Sequence, residues 1–151
     1  MTTTMTVSEV VRRPVEEVFP FFTDARNAPK YQSKIGLQRI QQLPESPVGV
    51  GTRITEVWKF MGMESESTSE VTEYEPNRKY SRISVGAGGP IKGGTTSFES
   101  VPEGTRVTFE VTVAAGGLFA IAEPLLAANL KKSFESGLAE AKALLEGQQV
   151  A

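Results

Sequence analysis

The clearest pattern in the chain lies in its last third. Apolar and polar residues alternate from Thr105 to Val113, and a helical stripe then runs from Leu126 to Leu145. Val107, Phe109, Val111 and Val113 fall on one face of the strand, with Thr108, Glu110 and Thr112 on the other, as in an antiparallel strand buried on one side. Leu126, Leu130, Phe134, Leu138, Ala141 and Leu145 recur at three- and four-residue steps along one side of a helix. Pro124 suits the first turn of that helix, where a missing N–H leaves no bond unmade. A strand with one apolar face and a helix with one apolar stripe predict that a sheet and this helix bury each other.

Upstream, Thr4 to Val11 alternates as a strand and stops at Arg12-Arg13-Pro14. Pro14 opens a short helix with Val15, Val18, Phe19 and Phe22 on one side, and Pro20 kinks it or ends it early. Asp24 is placed to cap a second short helix through Tyr31. Turn chemistry then recurs at Pro44 to Gly51, Gly62, Pro76-Asn77, Gly86 to Pro90 and Pro102 to Gly104. It separates six strands: Ile35 to Gln42, Thr52 to Met61, Glu64 to Tyr74, Lys79 to Val85, Gly93 to Val101 and Thr105 to Ala114. The short links at Gly62, Pro76 and Gly104 demand antiparallel neighbours, because parallel crossovers need a dozen or more residues. The expected class is α+β, a seven-stranded antiparallel sheet curved around a long C-terminal helix, with two short helices between strands one and two. No internal repeat interrupts it, and 151 residues form one expected domain, 1–151.

Composition narrows the chemistry. With 16 basic and 18 acidic residues the formal charge is −2, and no stretch gathers the cations a nucleic acid backbone would need. The chain has no histidine and no cysteine, which removes catalytic triads, imidazole bases, thiolate nucleophiles and the usual zinc ligands. No metal site and no cofactor are expected. The threonine-rich start lacks the pattern of a signal peptide, and no apolar span reaches membrane-crossing length. The expectation is a cytoplasmic protein without stable membrane insertion, as monomer or homodimer.

Candidate chemistry sits in the middle strands. In Thr52 to Met61 the alternation puts Ile54, Glu56, Trp58 and Phe60 on one face, read as inward. A two-residue turn at Gly62-Met63 would set Lys59 opposite Glu66 and Trp58 opposite Ser67, and would turn Ser65, Ser67, Ser69 and Val71 inward. A solid core would put larger residues beside Trp58 and Phe60, so this serine stripe fits a cavity wall. The competing reading is a solvated, edge-like strand. Glu56, a carboxylate on an apolar face, either finds a partner or shifts its proton affinity, and either state suits a general acid or base; the plainer reading puts it at the sheet rim or against a surface lysine. Arg82 is its natural partner if Tyr80, Arg82 and Ser84 face inward. The opposite parity, with Ser81, Ile83 and Val85 inward, supplies better core residues and leaves Arg82 in water. The run Gly86 to Gly94 lacks nucleotide-loop spacing and reads as the flexible loop of a plain long hairpin, with covering a cavity mouth as the alternative. Ala114 to Glu123 reads as an entrance whose Phe119 and Ile121 meet ligand.

Four segments carry a resemblance. Arg13-Pro14-Val15-Glu16-Glu17-Val18-Phe19 followed by Asp24, Val48-Gly49-Val50-Gly51-Thr52, Tyr74-Glu75-Pro76-Asn77-Arg78 and Glu103-Gly104-Thr105-Arg106-Val107 stand in the order found in one family. They resemble the bacterial polyketide cyclase/dehydrase and lipid-transport family of the START-like (SRPBCC) superfamily, whose fold is the helix-grip. Ala28-Pro29-Lys30-Tyr31 stands where many relatives carry a tryptophan, and Tyr31 is given that role. The resemblance implies a cavity between sheet and closing helix that holds polyketides, lipids, sterols, quinones or plant hormones.

Three functions follow from it. The first is binding of a small hydrophobic ligand by a wall of Trp58, Phe60, Phe98, Phe109, Leu126, Leu130 and Phe134, with Tyr31, Ser67, Ser69 and Phe119 completing the site. The second is a cyclase or dehydratase in which Glu56, with Tyr80 or Arg82, moves protons. The third is a protein-interaction module acting through its exterior.

Overall fold

The computed structural model describes residues 3–45, 47–60, 62–85, 91–114 and 123–147. Strand β1 (Thr3–Val11) leads into helix α1 (Val15–Thr23), a single-turn helix at Ala25–Asn27, helix α2 (Ala28–Gln32) and another single turn at Ser33–Ile35. Six strands follow: β2 (Leu37–Leu43), β3 (Arg53–Phe60), β4 (Met63–Glu75), β5 (Lys79–Val85), β6 (Ile91–Val101) and β7 (Gly104–Val113). Helix α3 (Glu123–Gly147) closes the fold. Every strand pairing is antiparallel, in the order β1-β7-β6-β5-β4-β3-β2. The meander from β2 to β7 is thus completed by β1 lying beside β7.

The local signals act as their chemistry requires. Pro14 precedes α1, and Pro20 is followed by only three more helical residues before Asp24 N–H bonds back to the Pro20 carbonyl. The Asp24 carboxylate accepts from the Arg26 N–H, capping the single turn that leads to α2. In β7 the alternation predicted from sequence is complete: Thr105, Val107, Phe109, Val111 and Val113 are all buried. They join Met5, Val7 and Val11 of β1, Val18, Phe19 and Phe22 of α1, and Leu138, Ala141 and Leu145 of α3 in one core. Tyr74, Phe19, Phe98 and Phe22 meet ring to ring through it, with centroids 5.0–6.1 Å apart along the chain of contacts.

Helix α3 is fastened at its C-terminal end. Lys142 donates to the Val10 carbonyl at 2.6 Å and to Glu146 at 2.6 Å, and Glu146 accepts the Arg12 N–H at 2.9 Å. These bonds tie the last turns of α3 to the end of β1. Thr105, fully buried, donates to the Arg13 carbonyl at 2.9 Å and holds the same junction from the sheet side.

Two expectations from sequence are corrected. The β3–β4 hairpin closes with Phe60 opposite Met63, so Lys59 faces Glu64 and Trp58 faces Ser65, a slip of two residues from the expected pairing. A slip of two preserves the face of every side chain, so the serines keep their inward parity. The second correction reverses β5. Arg82 is paired with Val71, which is fully buried, and Ser84 with Ser69; directly opposed residues share a face, so Arg82 and Ser84 point inward. Ile83 pairs with Glu70 on the outer face and is 49% exposed. A register shift between Val71 and Glu73 brings Tyr74 and Tyr80 to the same side as Val71.

Candidate functional site

Where α3 crosses β3 to β6, the two layers do not fill the space between them. A cavity of about 220 Å³ remains, lined by Tyr31 of α2, Glu56 and Trp58 of β3, Ser67 and Ser69 of β4, Tyr80 and Arg82 of β5, Phe109 of β7, and Leu130 and Phe134 of α3. The hollow follows from side-chain size. The concave face carries serines on β4, Ser84 on β5 and Gly94 on β6 at the positions where β7 carries valine and phenylalanine. Above them, Leu130 and Phe134 are only half-buried, whereas Leu138, Ala141 and Leu145 further along α3 are at most 3% exposed. The rings of Phe109 and Phe134 meet edge to face at 6.3 Å, closing the space on the β7 side.

A polar group forms the floor. Arg82 Nη1 donates to Glu56 Oε1 at 3.2 Å and to Ser69 Oγ at 3.2 Å, reaching diagonally across β4 to β3. Trp58 Nε1 donates to the other Glu56 oxygen at 3.3 Å. Glu56 therefore has both oxygens engaged and its side chain is 12% exposed; Arg82, at 30%, is the more open partner. Among the described residues, only Nη1 of the Arg82 guanidinium has a protein acceptor. Among the described residues no polar side-chain atom sealed from solvent lacks a partner, and Arg82 itself lines the cavity. The guanidinium carbon lies 5.9 Å from the Tyr80 ring centre, within cation–π range.

Burial sets the protonation of the neighbours. Burial disfavours the charge on Arg82, but Glu56 and the two tyrosines outweigh it and hold its affinity for the proton above the ordinary value. The Tyr31 and Tyr80 phenols are pushed up by burial, with Arg82 pulling weakly the other way, so both remain protonated at neutral pH. A fixed cation, its carboxylate and two neutral phenols thus stand in a wall that is otherwise aromatic, aliphatic and hydroxylic. Among the described residues no group of carboxylates, histidines or cysteines is arranged to hold a metal ion.

The structure brings together Glu56, Tyr80, Arg82, Tyr31, Trp58, Ser67, Ser69, Phe109, Leu130 and Phe134, all named from sequence. Phe98 is elsewhere: 6% exposed, it packs under α1 against Phe19 at 5.0 Å and Phe22 at 6.1 Å. The side chains of Phe60 and Leu126, and all of Phe119 with the two segments read as mouth loops, 86–90 and 115–122, lie outside the described residues. Sequence reasoning missed Phe22, Ile35, Val111 and Ser133 as lining. Phe22 and Val111 had been assigned to the core by their periodicity, which finds a buried face but does not distinguish a filled interior from a hollow one.

A family model described as polyketide cyclase / dehydrase and lipid transport matches residues 2–146. No curated protein sequence matches the chain. Among solved structures, TTHA0849 from Thermus thermophilus is similar with a TM-score of 0.81 at 19% identity, covering 97% of this chain and 99% of that one. The di-domain ARO/CYC StfQ from the steffimycin biosynthetic pathway is similar with a TM-score of 0.80 at 16% identity, covering 100% of this chain and 53% of that one. Ara h 8.0201 is similar with a TM-score of 0.71 at 15% identity, covering 96% of this chain and 98% of that one. At these identities the likeness is one of fold. Among the described residues no helix is long and apolar enough to cross a membrane.

Proposed function

The chain belongs to the polyketide cyclase / dehydrase and lipid transport family, and we propose that it encloses a small hydrophobic molecule with an aromatic or polyketide-like body in the cavity between β3–β6 and α3. One observation carries the reading: a hollow between aromatic and aliphatic walls with Arg82, held by Glu56, in its lining. The apolar body packs on Trp58, Phe109, Leu130 and Phe134. Arg82, held by Glu56 and Ser69, offers its remaining N–H groups to an oxygen of the ligand, and the Tyr31 and Tyr80 hydroxyls are further donors. A hollow of about 220 Å³ suits a body of one or two fused rings, and a longer ligand extends out of it.

The chain's single tryptophan is Trp58, in the cavity wall, so its fluorescence reports on this site alone. Titration with naphthols and quinones, a sterol and a fatty acid is expected to change Trp58 emission saturably for at least one class, with a matching mass shift in native mass spectrometry. A panel in which no apolar class alters Trp58 emission or the melting temperature would overturn the proposal.

A second reading is favoured by the Glu56–Arg82 pair itself. In a cyclase or dehydratase the same cavity folds a poly-carbonyl chain, Arg82 stabilises negative charge developing on a carbonyl oxygen, and Glu56 or Tyr80 moves the proton. Once a turned-over substrate is found, Glu56→Gln and Tyr80→Phe separate the roles: a rate unchanged by both assigns the proton transfer to neither residue.

A further inference from the structure

Beside the cavity lies a second, open groove of about 440 Å³, lined by Lys34, Lys59, Lys132, Ser136, Ile35 and Ser133. Ile35 and Ser133 also line the cavity, so the two hollows share a wall. On a chain of net charge −2, three lysines from three separate elements converge here. Lys34 comes from the turn after α2, Lys59 from the end of β3 and Lys132 from α3.

Two glycines make that convergence possible. Gly36, at φ 122°, presses against β3 so closely that a Cβ there would lie 2.3 Å from the Lys59 carbonyl oxygen; its own carbonyl accepts the Lys59 N–H at 2.8 Å. Gly137 lets α3 approach the same turn, where a Cβ would meet Ile35 Cδ1 at 3.1 Å. The nearby carboxylates are Glu140, which pairs with Lys34 at 3.4 Å, Glu64, opposite Lys59 in the strand register, and Glu135, three residues after Lys132 on α3. Among the described residues, Lys59 and Lys132 have no ion pair.

We propose that this groove is an anion site for the distal end of the cavity's own ligand, which is then an amphiphile: an apolar ring system inside and a carboxylate or phosphate held by Lys59 and Lys132. The inference rests on the binding function proposed above and adds the ligand's charge to it. Size supports it, since a cavity of about 220 Å³ holds a bicyclic body and leaves any longer substituent to emerge. Where that substituent leaves past Ile35 and Ser133, the lysines meet it. Exposed cations contribute modestly and are screened by salt, so the groove acts as a selector for charged ligands rather than as the source of affinity.

The test compares 4-(2-naphthyl)butanoate with its uncharged methyl ester, using calorimetry and Trp58 emission at low salt. The acid is expected to bind about tenfold tighter than the ester in the wild type, and about equally in the Lys59→Gln/Lys132→Gln double variant, with ester affinity unchanged. Raising salt to about 0.5 M is expected to erase the same preference. Equal binding of acid and ester by the wild type, with no effect of the double variant, would overturn the anion site while leaving the apolar cavity standing. Binding of neither probe, with Trp58 silent, counts against the cavity reading and this one together. Inorganic phosphate serves as the last arm: competition with the acid but not the ester supports a shared anion site, whereas tight phosphate binding that leaves the acid undisturbed overturns the assignment to the ligand's own end.

Discussion

Strands β7 and β4 lie in one sheet and turn the same concave face toward α3, yet they do opposite things with it. On β7, Val107, Phe109, Val111 and Val113 are 0–8% exposed. On β4, Ser67 and Ser69 are half-buried and Ser65 is exposed although their parity is inward. Helix α3 mirrors the contrast, with Leu138, Ala141 and Leu145 sealed at one end and Leu130 and Phe134 half-open at the other. The difference teaches that a packed region and a hollow one share a single interface. Large side chains on both layers make the core; small ones on the sheet opposite large ones on the helix make the cavity.

The contrast is most sharply tested by matched truncations on α3. Leu138→Ala is expected to cost about 3 kcal/mol, lowering the melting temperature by about 10 °C, while Leu130→Ala costs about 1 kcal/mol or less because it widens space that is already open. Equal losses in denaturant unfolding would break the distinction. Next in size is the ion pair. Arg82→Ala leaves Glu56 12% exposed without its cation and is expected to cost about 2 kcal/mol, most of which returns in Glu56→Gln/Arg82→Met. A double variant no more stable than Arg82→Ala would show that the cost lies in packing rather than in a stranded charge. A smaller effect is expected from Ser67→Val, which fills the hollow: stability rises by about 0.5–1 kcal/mol while the Trp58 response to aromatic ligands falls.

The smallest belongs to the clasp at the packed end. Lys142, and then the Arg12 N–H, hold the Glu146 carboxyl below its ordinary value of 4.5. Its contribution is therefore present above that pH and fades as acid protonates it through the depressed folded value. Glu146→Gln is expected to remove about 0.5 kcal/mol at neutral pH and to flatten the acid limb of the stability curve below about pH 4.5. An acid limb unchanged by the substitution would assign it to other carboxylates.

Much of this was legible along the chain. Alternation in β7 named its buried face residue by residue, the stripe of α3 named the residues that seal it, and Pro14, Pro20 and Asp24 marked the short helices that separate the first two strands. Glu56 and Trp58 were placed on the concave face with Ile54 because side chains two apart on a strand share a face. The parity of β5 was left open between two readings, and local apolarity favoured the wrong one because Ile83 and Val85 are its more apolar set. Pairing with β4 overrode that preference: with Val71 buried opposite Arg82, the arginine had to follow it in. Phe98 was read as cavity wall because it is aromatic and inward; only the docking of α1 over it, through Phe19 and Phe22, removed it from the site.

By itself the sequence determined the buried faces of β7 and α3 and where proline and capping residues bound the short helices, since periodicity, proline and capping act over a few neighbouring residues. The tertiary structure alone decided that the interior is hollow between β4 and α3, that Arg82 reaches Glu56 across an intervening strand, and that Lys34, Lys59 and Lys132 meet at one groove. Those outcomes depend on register, on one shift in β4–β5 pairing and on two close approaches at glycine. Each joins residues distant in the chain, where no local pattern carries the information.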